Sequence, residues 1–204
     1  MCKKIVIVDY GLGNLYSIKN MLKHIGYNSE ISDEPQKVRE ADKIILPGVG
    51  RFGAGMKGIL DKNLLGILNK KALKDQIPIL GICLGMQLLT KGSEEDNVKG
   101  LGWIDAYTYR FSVNDAYKVP HMGWNTVEVV NDNPLIKDKE EYNKFYFVHS
   151  YFVKTKKDEE TILETEYGIR FASGIKKGNI MGVQFHPEKS HRYGMALLKN
   201  FMEM

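Results

Sequence analysis

The sequence predicts an α/β fold with a mostly parallel central sheet flanked by helices and a β-rich second half. In the first half, short apolar runs at 4–8, 43–46 and 77–82 alternate with segments whose apolar residues recur at helical spacing. Such alternation is typical of a parallel sheet with helices on both faces. After Gly100, strand-like segments are separated by Asn, Gly and Lys turns. We therefore expect β-α units followed by a region made mainly of strands.

The first half is predicted to contain four strands joined by helices. The strands lie at 4–8, 28–31, 43–46 and 77–82, and the helices at 15–25, 35–40, 64–72 and 86–90. Gly26 gives the first helix a C-terminal stop, and Ser32 and Asp33 are good N-cap residue types for the second. Each strand is short and apolar, as expected for strands buried on both faces.

The second half is predicted to contain six strands and a closing helix. The strands lie at 103–111, 126–130, 145–155, 161–166, 169–175 and 180–185, and the helix at 193–204. The helix carries Met195, Leu198 and Phe201 at a spacing that suits docking on the sheet. Because there is no internal repeat or linker, we interpret residues 1–204 as one domain.

Composition excludes several classes of function. The chain has 204 residues, 43% hydrophobic and 26% charged, which is typical of a folded globule. Its net charge is +4 with lysines scattered, so we expect no nucleic-acid partner. The longest uncharged stretch, 76–90, is too short to span a membrane, and the apolar run at 5–8 is too short for a signal peptide. The two cysteines, Cys2 and Cys83, fit a reducing compartment, so we expect a cytoplasmic protein without disulfides.

The sharpest motif is Gly81-Ile82-Cys83-Leu84-Gly85, between an apolar strand and a helical run. This is the pattern of a nucleophile elbow, in which flanking glycines allow a tight strand-to-helix turn that presents the nucleophile. The start of a helix also favours a thiolate at Cys83. The alternative is a buried structural cysteine, because Gly-x-Cys-x-Gly also occurs by chance.

A base for this thiol is predicted at His186-Pro187-Glu188, at the end of an apolar strand. Residues i and i+2 of an extended segment share a face, so Glu188 can orient the imidazole of His186. The pattern therefore predicts a Cys-His-Glu triad of Cys83, His186 and Glu188. A metal site of His186, Glu188 and His191 is the alternative, but it lacks a completing cluster, so we expect no metal.

Acyl transfer also needs hydrogen-bond donors for an oxyanion. One is predicted at the backbone N–H of Leu84, directly after the nucleophile, and the other at Val49 and Gly50 in a glycine-rich turn. The alternative is a plain strand-ending loop. Gly11 and Gly13 form half of a dinucleotide fingerprint, but Tyr16 stands where the third glycine is expected, so we expect no cofactor.

Together the elbow, the Pro-Gly-Val-Gly turn and the His-Pro-Glu run resemble the class I (triad) glutamine amidotransferases, which have a flavodoxin-like fold. Four further segments are similar to the glutaminase subunits of imidazole glycerol phosphate synthase: Asp9-Tyr10-Gly11-Leu12-Gly13-Asn14-Leu15, Pro120-His121-Met122-Gly123-Trp124-Asn125, Phe147-Val148-His149-Ser150-Tyr151 and Gln184-Phe185-His186-Pro187-Glu188-Lys189-Ser190. This likeness spans nearly the whole chain.

The resemblance implies a glutaminase that forms a covalent glutamyl-thioester and releases glutamate and ammonia. It further implies a (β/α)8 cyclase partner in a heterodimer, which receives the ammonia through a shielded channel and makes imidazole glycerol phosphate and an aminoimidazole ribonucleotide in histidine biosynthesis. The residues implied to bind L-glutamine are Gln87, Glu95, His149, Ser150 and Tyr151. Those implied to face the partner are Asn14, Trp124, Asn125 and Lys189.

Two segments depart from that family's pattern, at 100–105 and 190–194, where His191 follows Ser190 in place of a glycine. These variants resemble paralogues that supply ammonia for acetamidino-sugar biosynthesis, so a surface-sugar acceptor is an alternative. A free-standing cysteine hydrolase and a binding module without activity are further alternatives. The first would act on esters or peptides without a cyclase, and the second would leave Cys83 unreactive.

Overall fold

The computed structural model describes residues 3–112, 116–137 and 143–204. Five parallel strands form the centre of the fold, in the order β2-β1-β3-β4-β13. Their bounds are β1 Ile5–Val8, β2 Glu30–Ser32, β3 Lys43–Gly48, β4 Ile79–Cys83 and β13 Ile180–Val183. This is the strand order of a flavodoxin-like doubly wound sheet, in which sites lie at the carboxyl ends of the strands.

Helices connect and cover these strands. Their bounds are α1 Leu15–His24, α2 Pro35–Arg39, α3 Phe52–Asp61, α4 Leu65–Asn69, α5 Leu84–Leu88 and α6 His191–Glu203, with a π-helical turn at Lys70–Lys74. Asn14 caps α1 by accepting from the N–H of Ser17 at 3.3 Å, and Gly26 follows the helix with φ +92°. The predicted N-caps of α2 are wrong, since the N-cap is Glu34, whose N–H donates to the Ser32 hydroxyl at 3.1 Å.

The second half extends the sheet with antiparallel strands beyond β13. β12 pairs with β13, β10 and β11, and β8 joins β11 to β9. The bounds are β5 Gly92–Ser93, β6 Val98–Lys99, β7 Ala106–Arg110, β8 His121–Val129, β9 Asn143–His149, β10 Tyr151–Thr155, β11 Thr161–Tyr167 and β12 Ile169–Lys177. The predicted α/β fold with a parallel core and a β-rich second half is therefore confirmed.

Several elements differ from the sequence prediction. The short strands β5 and β6 were not predicted, and β13 ends at Val183, after which Pro187–Lys189 forms a 3-10 turn instead of continuing an extended segment. The single strand expected at 145–155 is two strands, because the chain leaves β9 after His149 and re-enters a different sheet partnership at Tyr151. β8 begins at His121, five residues before its predicted start. Helix α3 was not predicted, since its glycines lower helix propensity.

Apolar residues fill both faces of the sheet. One cluster includes Val8, Leu46 and Leu84, and the other includes Ile7, Ile82 and Phe185, all at most 1% exposed. Alternate residues of β1 thus serve opposite faces, which is the period of a strand buried on both sides. Across the described ranges, no helix has the length and apolar character needed to cross a membrane.

Candidate active site

The elbow at Cys83 adopts the strained backbone that its flanking glycines predicted. Cys83 ends β4 and precedes α5, with φ +54° and ψ −109°, a region that side chains rarely occupy. A Cβ on Gly85 would collide with the carbonyl oxygen of Leu46, and one on Gly81 would lie 2.7 Å from Gly85 carbonyl atoms. The glycines therefore let the turn pack directly on β3. Strain of this kind is concentrated at functional sites, where the surrounding structure enforces it.

His186 and Glu188 form a buried pair beside this elbow. Nδ1 of His186 donates to Oε1 of Glu188 at 2.8 Å, and both side chains are 2% exposed. Nε2 of His186 is buried and makes no hydrogen bond within the described part of the chain. A buried nitrogen without a partner in the protein is available to exchange a proton with a group that reacts beside it.

The charge environment of His186 favours its protonated form. Burial alone lowers the pKa of the imidazole, but a thiolate at Cys83 and the Glu188 carboxylate outweigh burial and raise the pKa well above its ordinary value. The Cys83 thiol lies 3.9 Å from the carbonyl oxygen of Val148 and accepts a hydrogen bond from Nε2 of Gln184 at 3.6 Å. The structure thus brings a thiol, an imidazole and a carboxylate together in one interior site.

The predicted oxyanion turn lies beside the nucleophile. Gly48, the last residue of β3, is the register partner of Cys83. The Tyr10 hydroxyl donates to the carbonyl of Pro47, and a Cβ on Gly48 would collide with that hydroxyl. Gly50 has φ +130°, a conformation that favours glycine. The turn therefore begins directly beside Cys83, the residue that precedes Leu84.

A cavity of about 270 Å³ opens at this edge of the sheet. Its lining contains every residue predicted for the oxyanion and for substrate binding, together with the nucleophile: Val49, Gly50, Cys83, Leu84, Gln87, Glu95, His149, Ser150 and Tyr151. Pro120 and Val148 complete the lining and were not predicted. These residues, distant in sequence, thus share one cavity, whereas His186 and Glu188 are not part of its lining.

Two carboxylates tie the oxyanion turn to the far wall of this cavity. Oε2 of Glu95 accepts from the N–H of Phe52 at 2.7 Å, and Oδ2 of Asp96 accepts from the N–H of Gly53 at 2.9 Å. These are the first N–H groups of α3, which follows the turn, so the carboxylates satisfy donors that the helix itself leaves unpaired. Asp96 was missed because an acidic loop residue gives no sequence signal of what it caps.

The side chain of Gln87 is largely committed to the interior. Its Nε2 donates to the carbonyl of Tyr151 at 3.2 Å and to Oε1 of Gln184 at 3.1 Å. Gln184, fully buried, was not predicted, although a glutamine that interrupts an apolar strand next to His186 is a usable signal. The side-chain oxygen of Gln87, Oε1, is therefore the atom of its amide that remains free to bind a substrate.

Three of the four residues predicted to face a partner are exposed. Trp124 is 47% exposed, Asn14 and Lys189 are also exposed, and the Lys189 ammonium lies 5.6 Å from the ring of Tyr146. Asn125 differs, because its amide nitrogen donates to the carbonyl of Glu166 at 2.9 Å and its oxygen accepts from the N–H of Thr126. Its side chain is thus used within the chain.

His191 lies on the surface with a strained backbone. Its φ is +45°, which explains why a glycine suits this position, and its ring stacks parallel to Trp124 at 5.5 Å. The stacked ring widens the aromatic surface around Trp124. No group of three or more His, Cys, Asp or Glu side chains arranged to hold a metal occurs in residues 3–112, 116–137 and 143–204.

Two further histidines, His121 and His149, are buried near the cavity. Their burial makes the free energy of unfolding depend on pH. Burial lowers the pKa of His121 from 6.5 to about 4. Burial, with the neighbouring His121 and His186 and against the opposing hydrogen bond to the Tyr151 carbonyl, lowers the pKa of His149 to about 3. Below pH 6.5 the unfolded chain takes up protons that the folded chain refuses. We therefore expect the free energy of unfolding to fall by about 1.5 kcal/mol per histidine from pH 6.5 to pH 5.

Urea unfolding at pH 6.5 and pH 5 checks this prediction. His121→Asn should weaken the pH dependence, whereas His24→Asn, at an exposed position, should leave it unchanged. His186 changes the result little and in the opposite direction, because its raised pKa keeps the folded ring protonated throughout, while the ring in the unfolded chain goes from half to fully protonated between pH 6.5 and pH 5. An identical pH dependence in all three proteins would contradict the assignment of His121 as a neutral buried group.

Comparison with known proteins agrees with this geometry. The family model described as "Glutamine amidotransferase class-I" matches residues 6–204. Three similar proteins are named imidazole glycerol phosphate synthase subunit HisH or HisH 2. They come from Methanococcus maripaludis (49% identical, covering 98% of this chain and 98% of the relative), Methanosarcina acetivorans (47%, 99% and 99%) and Pseudomonas aeruginosa (44%, 98% and 99%).

Solved structures show the same fold at low identity. The structure of PurLQS from Thermotoga maritima matches with a TM-score of 0.77 at 19% identity, covering 100% of this chain and 99% of that chain. A glutamine amidotransferase from Thermotoga maritima matches with a TM-score of 0.67 at 21% identity, covering 100% and 82%. By its match to the family model and its identity to the HisH relatives over nearly its whole length, the chain belongs to the class I glutamine amidotransferases, among the HisH subunits of imidazole glycerol phosphate synthase.

Proposed function

We propose that this chain is a glutaminase subunit that hydrolyses L-glutamine to glutamate and ammonia, with Cys83, His186 and Glu188 as its triad. The observation that carries the proposal is the unpartnered Nε2 of His186 next to Cys83, with Nδ1 held by Glu188. A nucleophile, a base and a group that orients the base are the parts that thiol catalysis needs.

In the proposed reaction His186 first takes the thiol proton at Nε2, and Sγ of Cys83 then attacks the side-chain amide carbon of glutamine as a thiolate. The resulting oxyanion accepts hydrogen bonds from the N–H of Leu84 and from the Val49–Gly50 peptide. The C–N bond breaks, and His186 returns the proton to the leaving ammonia, which leaves a glutamyl-thioester. Water then breaks the S–C bond, with His186 as base, and releases glutamate.

The cavity suits the α-amino acid end of glutamine. Glu95 supplies a carboxylate and Gln87 a carbonyl oxygen, both acceptors for a substrate ammonium. Ser150 and Tyr151 also line the cavity, and their backbone and hydroxyl groups are donors for the substrate carboxylate. We expect the free amino acid to be preferred over esters and peptides, which distinguishes this function from that of a free-standing cysteine hydrolase.

A partner protein follows from the chemistry of ammonia. In water at neutral pH ammonia is mostly ammonium, which has no lone pair for attack, so it must reach its acceptor along a shielded path. Val49, which lines the cavity, is 47% exposed, and the apolar side chains of Tyr16, Met122 and Trp124 are also exposed, at 70%, 60% and 47%. We propose that this face binds a (β/α)8 cyclase, and that the complex works in the cytoplasm, where the thiol stays reduced.

Reconstitution tests the proposed function. The chain is mixed with the cyclase of its own source and the histidine-pathway acceptor, and glutamate release is measured. We expect little release from the chain alone and a large stimulation in the complex, because the oxyanion turn is aligned by docking. Stimulation only with the cyclase-like protein of an acetamidino-sugar pathway would support the alternative acceptor. Hydrolysis of esters or peptides without any partner would overturn the proposal.

Trp124 provides a prediction for the partner face. Its ring is stacked on His191 and packs edge-on against Tyr146 at 6.2 Å, so it is held in place before docking. Replacing it with alanine should weaken cyclase binding by about 2 kcal/mol, since held aromatic side chains act as anchors at interfaces. Titration of the chain with labelled cyclase measures this effect.

Leu73→Ala is the matched control for Trp124→Ala. Leu73 is also half-exposed, at 53%, but it precedes β4 and so lies at the opposite end of the parallel strands from Cys83. The control should bind the cyclase with unchanged affinity. Equal affinities of the Trp124→Ala variant and the unmodified chain would show that this face is not the docking surface.

A further inference from the structure

Two buried histidines beneath the glutamine cavity take no part in the proposed reaction. His121, at the start of β8, is 2% exposed, and His149, at the end of β9, is 6% exposed. They are direct partners in the strand register, and Nδ1 of His121 lies 3.0 Å from Nε2 of His149. A buried imidazole needs partners for both of its nitrogens, so each bond of this pair has a direction that can be worked out.

The direction follows from a backbone carbonyl at one end. The carbonyl oxygen of Tyr151 can only accept, so Nδ1 of His149 donates to it at 2.8 Å. Nε2 of the same neutral ring must then accept, and Nδ1 of His121 is its donor. Nε2 of His121 in turn accepts from the amide nitrogen of Asn125 at 3.3 Å. The tautomers of both rings are thus assigned from one continuous chain of hydrogen bonds.

This series of hydrogen bonds ends at the carbonyl of Tyr151, in the part of the cavity lining that lies close to the nucleophile. The same carbonyl of Tyr151 accepts from Nε2 of Gln87, which also donates to Gln184. Gln184 donates to Sγ of Cys83 at 3.6 Å. The Val148 carbonyl, next to His149 in the chain, lies 3.9 Å from that sulfur. The ring of His149 therefore holds the segment that both lines the cavity and contacts the thiol.

Aromatic rings fix the pair in place. The ring of His121 stacks between Phe147 at 4.7 Å and Tyr167 at 4.0 Å, with interplanar angles of 25° and 23°. The ring of His149 lies 5.2 Å from that of Phe111 and 5.3 Å from that of Phe171. This packing excludes water that could replace the hydrogen bonds between the rings, so loss of one partner leaves the other unsatisfied.

We propose that His121 and His149 are positioning residues for glutamine hydrolysis, which fix the 148–151 wall of the cavity through a one-directional hydrogen-bond chain that starts at Asn125. This inference rests on the proposed glutaminase function. Neither histidine touches the reacting atoms in this role. His121 acts through His149, and His149 acts through the carbonyl of Tyr151, so their contribution is to substrate binding and alignment.

A pair of variants at His121 separates hydrogen bonding from packing. His121→Phe keeps an aromatic ring between Phe147 and Tyr167 but removes both nitrogens. His121→Asn loses the ring but keeps an N–H near the position of Nδ1, so it can still donate to His149. Glutamate release by the complex with the cyclase is measured over a range of glutamine concentrations. We expect His121→Phe to raise KM for glutamine about tenfold with a smaller change in kcat, and His121→Asn to restore most of that loss.

If His121 had only a structural role, the order of the two variants in KM for glutamine would be reversed. If packing alone mattered, His121→Phe would have an unaltered KM and His121→Asn would be the impaired variant. That result would overturn the inference. The inference would also be overturned if both variants at His121 changed the thermal midpoint but left KM for glutamine unaltered. His24→Phe, at an exposed position, is the control and should match the unmodified chain. An unmodified complex without glutaminase activity would instead refute the proposed function itself.

A second pair at His149 keeps the test decisive if His121→Phe does not fold. His149→Asn places an N–H near Nδ1 and keeps the bond to Tyr151, whereas His149→Gln places its amide near Nε2 and loses that bond. We expect His149→Gln to show the larger increase in KM. Equal KM values in the two variants would contradict the role of the bond to the Tyr151 carbonyl.

Discussion

Replacing Cys83 with serine is expected to abolish glutamine-dependent turnover, with a loss of at least about 10⁴-fold in kcat. The elbow fixes the side chain at position 83 in one place, because its backbone is held at φ +54° by the glycines on either side. A serine hydroxyl would occupy that place but gives up its proton far less readily than a thiol, so no acyl-enzyme forms. Turnover with added ammonia should persist, since the acceptor chemistry belongs to the partner.

Glutamate release and acceptor turnover are both measured on the complex with the cyclase, with glutamine and then with ammonium salt. Cys2→Ser is the matched control, because it removes the other cysteine of the sequence and should leave both activities unaltered. A glutamine-mimicking alkylator should label position 83 in the unmodified chain. Glutamate release by Cys83→Ser at the level of the unmodified chain would refute the nucleophile.

The parallel half of the fold was predictable because its signals are local. β1, β3 and β4 are buried on both faces and so appear as short apolar runs, and α1 shows its buried face through Ile18 and Leu22. Helix α3 was not predictable, because Gly55 and Gly58 argue against a helix. They are there for packing, since a Cβ on Gly58 would collide with the Tyr10 carbonyl. Tertiary contact thus overrides helix propensity at this element.

In the active site, too, the features that depend on neighbouring residues in the sequence were predictable, and those that depend on tertiary contacts were not. The pairing of His186 with Glu188, two residues apart, was predicted for an extended segment; the pair forms, but Pro187–Lys189 is a 3-10 turn instead. The turn at Cys83 could be inferred from its glycines. The contact of Gln184 with Cys83 could not, because it depends on β13 lying beside β4 in a particular register. The pairing of His121 with His149 likewise depends on the β8–β9 register, which no local pattern specifies.

Glu188→Gln should lower kcat for glutamate release by about 10²- to 10⁴-fold. Oε1 of Glu188 accepts from Nδ1 of His186 at 2.8 Å, and a glutamine amide can keep that bond only in one of two orientations. In either orientation it carries no charge to stabilise the imidazolium. Because Glu188 is one of the groups that raise the pKa of His186, the variant should lower that pKa. His186 must be protonated to give a proton to the leaving ammonia, so the alkaline limb of the pH–kcat profile should move to lower pH.

The direction of that shift distinguishes a catalytic carboxylate from a structural one. A residue that only supported the fold would lower activity equally at every pH and would lower the thermal midpoint in parallel. Glu159→Gln removes one carboxylate at a position that is 78% exposed, and it controls for the change in net charge. Its kcat and its pH profile should match those of the unmodified chain. If Glu188→Gln retained kcat within about threefold, with an unmoved alkaline limb, His186 would not depend on this carboxylate and the triad would reduce to a Cys-His pair.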